Sequence, residues 1–177
     1  MTNLLFVIGS LRAASASMAA ARALVDRLGP DVTCSFADIG ALPHYNADLA
    51  DVPAVTNLIS QLHAADGVVF ITPEYNYSIP GVLKNAIDWA SRPAFESVFK
   101  GKKCFVISVS GGALGGVRAQ SHLKYILNGM LADTYTCKEI VIPMANAKIA
   151  DGKLNDAAIL DFTEENLRGF LASMPAA

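Results

Sequence analysis

The sequence predicts a doubly wound α/β fold, with five parallel strands in one sheet and helices on both faces. Three observations lead there. Short apolar runs such as Val68-Val69-Phe70-Ile71 read as strands buried on both faces. Such runs alternate with amphipathic stretches of helical period along the chain, the pattern of parallel strands joined by right-handed crossovers. The loops after the first, third and fourth runs are rich in Ser, Arg, Tyr, Asn and Gly. An open α/β sheet binds its ligands at such loops, beyond the carboxyl ends of the strands.

The elements follow in order. Leu4 to Ile8 is the first strand. Ser15 to Leu28 carries Ala21, Leu24, Val25 and Leu28 at helical spacing, and Gly29-Pro30 ends that helix. Val32 to Ala37 is a weaker second strand, followed by a loop rich in Pro, Asn and Asp from Ile39 to Asp51. A helix starts near Pro53, with Val55, Leu58, Ile59 and Leu62 on one face. Gly67 to Thr72 is the third strand, and its helix runs from Gly81 to Ser91. Lys103 to Val109 is the fourth strand, with a helix over Gly116 to Leu131. Thr134 to Ile142 is the fifth strand, closed by Pro143. The last helix spans Asp156 to Met174 and aligns Leu160, Thr163, Leu167, Phe170, Leu171 and Met174. With no repeat, linker or low-complexity tract, residues 1–177 are expected to form one domain of strand order 2-1-3-4-5.

Composition narrows the function classes. A chain of 177 residues, 53% hydrophobic and 17% charged, can bury a substantial core and is not of disordered type. A net charge of -2 without basic or acidic runs gives no electrostatic reason to expect nucleic acid or an anionic membrane as partner. No apolar stretch approaches the ~20 residues of a bilayer span. Met1-Thr2-Asn3 runs straight into the first strand, leaving no room for a signal peptide, so a cytoplasmic protein is expected. Cys34, Cys104 and Cys137 are widely spaced in apolar segments and read as buried strand cysteines. His44, His63 and His122 are scattered, and no His/Cys/Asp/Glu spacing suggests a metal site. There is no Gly-x-Ser-x-Gly nucleophile elbow.

The loop after the first strand, Gly9-Ser10-Leu11-Arg12-Ala13-Ala14-Ser15-Ala16-Ser17, leads directly into a helix amino terminus. Exposed N–H groups and partial positive charge there suit a phosphate, with hydroxyls from Ser10, Ser15 and Ser17 and the Arg12 fork as further donors. A serine-capped helix with a surface arginine is the competing reading. Neither a nucleoside-triphosphate P-loop nor a Gly-x-Gly-x-x-Gly turn is present. After the third strand comes Thr72-Pro73-Glu74-Tyr75-Asn76-Tyr77-Ser78-Ile79-Pro80-Gly81, whose tyrosines and amide suit a planar, hydrogen-bonding ring. After the fourth, Ser110-Gly111-Gly112-Ala113-Leu114-Gly115-Gly116 offers backbone that can approach a ligand closely. A flexible strand-to-helix turn would have the same composition.

The segment Thr72 to Trp89 closely resembles the loop and helix of the NADPH-dependent FMN reductase family, the flavodoxin-like quinone, azo-dye and chromate reductases. The first loop is similar to the family's Gly-Ser-x-Arg-x-x-Ser-x-Asn signature, matching at Ser10, Arg12 and Ser15. Ser17 stands where the family has asparagine and reaches less far toward a phosphate. The Gly-rich loop is similar to Ser-x-Gly-x-x-Gly-Gly-x-Arg-x-Gln. The resemblance implies a flavodoxin-like fold holding FMN. Ser10, Arg12, Ser15 and Ser17 would lie at its phosphate. Pro73, Glu74, Tyr75 and Asn76 would edge the ring, largely through backbone amides, and Ser110, Gly111 and Gly112 would line it. Asn85 and Trp89 would be structural, and Lys84 and Asp88 a surface pair. Arg118 and Glu139 match positions near the family's subunit interface, with a surface salt bridge as the competing reading.

The expected activity is an FMN-dependent NAD(P)H oxidoreductase. NADPH or NADH would reduce the flavin at N5, and a quinone, azo compound, chromate or free flavin would then take two electrons at the same face, in ping-pong order. No side chain is assigned as catalytic, and Glu74 is read as fixing its loop or an interface rather than as a base. The alternatives are a flavodoxin-type electron carrier and a flavin-binding redox sensor with little turnover. Carriers are typically far more acidic and use a Ser/Thr-Gly-Thr loop absent here. The family resemblance further implies a homodimer or homotetramer, with the helix from Gly81 and the helix carrying Arg118 at the interface.

Overall fold

A computed structural model of the chain describes residues 1–174. Strands β1 (Thr2–Ile8), β2 (Val32–Phe36), β3 (Gly67–Pro73) and β4 (Lys103–Val109) pair in parallel, β1 between β2 and β3, and β3 between β1 and β4. The fifth position is shared by two short strands, β5 (Asp133–Thr134) and β6 (Ile140–Ile142), both pairing with β4. The order is 2-1-3-4-5, as expected. The single strand expected over Thr134 to Ile142 is broken, and the register shows why. Two residues separate Cys104 from Ile107 on β4, but five separate their partners Thr134 and Ile140, so three surplus residues cannot stay in the ladder. Cys137 therefore lies in an irregular bulge, half-buried, rather than in a strand.

Alternation along the central strands builds two cores. Leu5, Val7, Val68, Phe70, Cys104 and Val106 face α2 (Pro53–Ala64), α3 (Gly81–Ala90) and α4 (Val117–Gly129). Leu4, Phe6, Ile8, Val69, Ile71, Phe105 and Ile107 face α1 (Ala16–Val25) and α5 (Ala157–Ala172). Phe6, Phe70, Phe105 and Phe170 are almost wholly buried, and each such side chain contributes roughly 1.5–3 kcal/mol of transfer free energy.

The helix ends are set locally. Ser15 caps α1 through Oγ, and Asp156 caps α5 by accepting from the Ile159 N–H at 3.1 Å. α1 stops at Val25 rather than Leu28, because Arg27 and Leu28 donate to Leu24 and Val25, the tighter three-residue spacing that closes a helix. Met174 lies beyond α5 but still packs against the second core.

Between β6 and α5 the chain forms a 3₁₀ turn (Ala145–Lys148) and an antiparallel hairpin of β7 (Ile149–Ala150) and β8 (Lys153–Leu154), neither of them expected. The hairpin turn is Asp151-Gly152, with φ of 50° and 72°, the two positive values of a type I′ turn. Leu154 is buried beside α1, and Lys153 pairs with Asp26.

Candidate functional site

The loop after β1 is pressed against β3. A Cβ on Gly9 would stand 2.9 Å from Thr72 Oγ1, and the Gly9 N–H donates to Ile71 O at 2.9 Å. Ser15 then turns the chain into α1, its Oγ accepting from the Met18 N–H at 3.3 Å and its carbonyl from the Ala19 N–H. Among the described residues the first-turn amides of Ala16 and Ser17 have no acceptor in the protein, as a helix start leaves them. Ser17 is buried yet lines the open space in front of them. Arg12 is exposed, and no described carboxylate lies within ion-pair distance of it. Hydroxyls, free amides and an uncommitted guanidinium thus converge, a donor set made for an anion.

The loop after β3 is a tight turn. Tyr75 N–H donates to Ser78 O at 2.9 Å and Ser78 N–H returns to Tyr75 O at 3.1 Å, with φ of 49° at Asn76 and 67° at Tyr77. Both central residues are left-handed without being glycine, and the tyrosine conformation costs about 1–2 kcal/mol. Contacts to α4 hold it. Glu74 Oε2 accepts from the backbone N–H groups of Arg118 (3.1 Å) and Ala119 (3.4 Å), and Oε1 from Arg118 Nη1 at 3.2 Å. The Arg118 guanidinium lies 4.6 Å from the Tyr77 ring centroid, and His122 Nδ1 lies 3.0 Å from Ser78 Oγ. Because α4 has no cap of its own, Glu74 serves as its cap from 44 residues away. Glu74 thus fixes its loop, and Arg118 pairs with Glu74 rather than with Glu139.

This geometry limits which of Pro73, Glu74, Tyr75 and Asn76 could offer a backbone amide to a ring. Pro73 has no N–H, and that of Tyr75 is used within the turn. Only Glu74 and Asn76 keep a free amide among these four.

In the loop after β4 the glycines have separate roles. Gly115 and Gly116 have φ of 61° and 83°, and a Cβ on Gly115 would stand 2.8 Å from Val141 Cβ. Gly115 turns the chain tightly against β6, and Gly116 against the end of β4, where a Cβ would stand 3.1 Å from Ser108 Cβ. Gly111 faces the cleft, and its missing side chain leaves space for Asn146, whose Nδ2 would be 3.0 Å from a Cβ there. Ser110 is held by β6, its N–H donating to Ile142 O at 3.0 Å, while its Oγ accepts from the Gly112 N–H at 3.0 Å.

The three loops enclose one cleft of about 140 Å³, lined by Ser10, Arg12, Ser15, Ser17, Pro73, Glu74, Tyr75, Ser110 and Gly111 of the expected residues. Asn76 and Gly112 lie outside its lining. Val109, Ala16 and Asn146 complete it. Asn146 is not among the expected residues, because it follows the fifth strand and not the first, third or fourth. Its signal was a polar amide just past Pro143, beyond the carboxyl end of the next strand. A broader depression of about 460 Å³, lined by Asp51, Pro53, Thr56, Asn57 and Ser60, contains no residue of these three loops.

The remaining expectations resolve simply. Lys84 pairs with Asp88 at 2.6 Å. Asn85 and Trp89 anchor the loop after β2: Asn85 accepts from the Tyr45 N–H at 2.7 Å, and Asn85 Nδ2 and Trp89 Nε1 donate to Pro43 O at 2.9 and 2.8 Å. The three cysteines are unpaired, and burial pushes the Cys104 thiol up to about 12. Among the described residues no group of acidic, His or Cys side chains could hold a metal ion, and no helix is long and apolar enough to cross a membrane.

Comparison with known proteins agrees with this geometry. Residues 2–147 match the family described as NADPH-dependent FMN reductase. The chain is 40% identical over 170 residues to an NAD(P)H-dependent FMN reductase of Pseudomonas aeruginosa, covering 94% of this chain and 91% of that one. It is also 40% identical over 154 residues to a quinone reductase of Pseudomonas putida, covering 85% and 83%. Among solved structures it is similar to the flavoenzyme NAD(P)H:(acceptor) oxidoreductase FerB of Paracoccus denitrificans, with a TM-score of 0.87 and 35% identity over 97% of this chain and 96% of that one.

Proposed function

We propose that this chain, which belongs to the NADPH-dependent FMN reductase family, is an FMN-dependent oxidoreductase that moves two electrons from NAD(P)H to quinones and similar small acceptors. The observation that carries the reading is the cleft itself, with anion donors from the loop after β1 meeting a Tyr-walled and a Gly-walled loop. The donor set fits FMN. It supplies hydroxyls, free helix amides and Arg12 for one phosphate, and its one acidic side chain, Glu74, is already engaged by the α4 amides.

When bound, FMN supplies the redox chemistry, accepting a hydride equivalent from the nicotinamide at N5 and passing two electrons to the acceptor. The protein's part is to bind and orient. Ser10, Arg12, Ser15, Ser17 and the amides of Ala16 and Ser17 would hold the phosphate. The Glu74 N–H, on a residue that lines the cleft, would be the backbone donor for the ring edge, where a fixed dipole offsets negative charge gained on reduction. Tyr75 and the Ser110-Gly111 backbone would confine the ring between them. Glu74, fixed by three hydrogen bonds, is a loop anchor and not a base.

We place the active protein in a homodimer or a pair of dimers, acting in the cytoplasm. Leu11, Tyr75, Tyr77 and Leu114 are all well exposed on the loops bearing the cleft, apolar surface that a second copy would cover. Steady-state NAD(P)H oxidation with a quinone, on protein loaded with FMN, tests the activity. Turnover with parallel-line kinetics is expected. A flavin-loaded protein that NAD(P)H does not reduce would be a sensor, and one that is reduced without turning over quinone would be a carrier.

A further inference from the structure

Resting on that cofactor reading, we infer that Asn146 is a binding residue for the hydroxylated chain linking the flavin ring to its phosphate. Asn146 lines the cleft, is exposed, and its side-chain amide makes no hydrogen bond within the described protein. Its backbone is nonetheless fixed to the ring-side loop. The Ala145 N–H donates to Ser110 O at 3.0 Å, the Met144 N–H to Gly112 O at 3.1 Å, and Ala145 itself is 1% exposed. With the backbone held, only the side-chain rotamers remain to be ordered when ligand binds.

Gly111 keeps that amide in place, since a Cβ there would come within 3.0 Å of Asn146 Nδ2. Chemistry then selects what the amide meets. Arg12, Ser15, Ser17 and the α1 amides are committed to an anion, and Tyr75 to a flat ring. A neutral carboxamide, which both donates and accepts, matches the hydroxyls between those two ends.

The test compares FMN with riboflavin, which has the same ring and polyol but no phosphate. Dissociation constants are read from quenching of flavin fluorescence in wild type, Asn146→Ala, Gly111→Ala and the double variant. Asn146→Ala is expected to weaken both flavins by the same factor, about 3- to 10-fold, as for one neutral hydrogen bond. The apoprotein's thermal midpoint should not move, because the side chain hydrogen-bonds to no described residue. Gly111→Ala should weaken FMN in the wild-type background and much less in the Asn146→Ala background, since its methyl acts by displacing the amide. Unchanged FMN affinity in Asn146→Ala overturns the assignment, as does a loss confined to FMN, which would make Asn146 a phosphate ligand. Wild-type protein that binds neither flavin overturns the cofactor reading instead.

Discussion

Removing the Glu74 carboxylate should loosen the Tyr75 turn and the start of α4 together, while leaving hydride chemistry intact. Its Oε2 accepts from the Arg118 and Ala119 N–H groups at 3.1 and 3.4 Å, so Glu74→Ala strips α4 of its cap, a loss of about 0.5–2 kcal/mol. The missing negative charge at a helix amino terminus adds about 0.3–1 kcal/mol. The Arg118 ion pair, on a guanidinium side chain 43% exposed, adds at most ~0.5 kcal/mol after screening. A total near 2 kcal/mol corresponds to a fall in thermal midpoint of roughly 4–8 °C for a chain of this length. Glu74→Gln keeps an acceptor and loses only charge, so about a third of that fall is expected. Calorimetry of the apoprotein measures both, and stopped-flow reduction of FMN-saturated variants by NADPH measures the chemistry. Glu74→Gln should stay within a few-fold of wild type in the reductive rate, because no proton is taken from its carboxylate. A 100-fold or larger loss with flavin still bound is the size expected for a general acid or base and would refute the anchoring role. An unchanged melting point in Glu74→Ala would refute the capping geometry.

Arg12→Ala should weaken FMN by about 1.5–3 kcal/mol, as for a hydrogen bond to a charged group, with no change in the apoprotein's melting point since the Arg12 side chain pairs with no described residue; isothermal titration reads the first and calorimetry the second. The Asp156 carboxyl is held below its ordinary range, first by the Ile159 N–H and then by Lys148. Its contribution to stability is therefore present above the unfolded value of about 4 and lost as pH falls through the lower folded one. Melting points of wild type and Asp156→Ala should differ at pH 7 and converge as pH falls through the lowered folded value, and a gap that widened on acidification would reverse the assignment. Burial raises all three thiols, Cys104 to about 12, so the native protein should react slowly with a thiol reagent at pH 8 and release three equivalents on denaturation. Rapid native labelling at Cys104 would contradict its placement in the core.

What could be read from the sequence was what depends on neighbours along the chain. β1, β3 and β4 are unbroken apolar runs because both faces are covered, and the anion loop is legible because its donors are local to one helix start. The failures share a different cause. Nothing in Thr134 to Ile142 says that β4 leaves room for only two residues between the paired ends, so the bulge carrying Cys137 could be seen only in register. The Asp151-Gly152 turn is the exception, a local signal masked because its strands are two residues each and carry no period. The sequence suggests that Glu74 fixes its loop or an interface, but what it fixes the loop to, a helix start 44 residues on, emerges only on folding. Glycine was the least transparent letter. Four of them in six residues suggested one flat wall, yet Gly115 and Gly116 serve the backbone against Val141 and Ser108, and only Gly111 keeps a cleft-lining amide in place. The site is thus legible in its local donors and illegible in what fixes them. The Glu74 contacts to α4 and the Met144 and Ala145 bonds to Gly112 and Ser110 cross between elements, and it is those crossings that give three strand ends a single cleft.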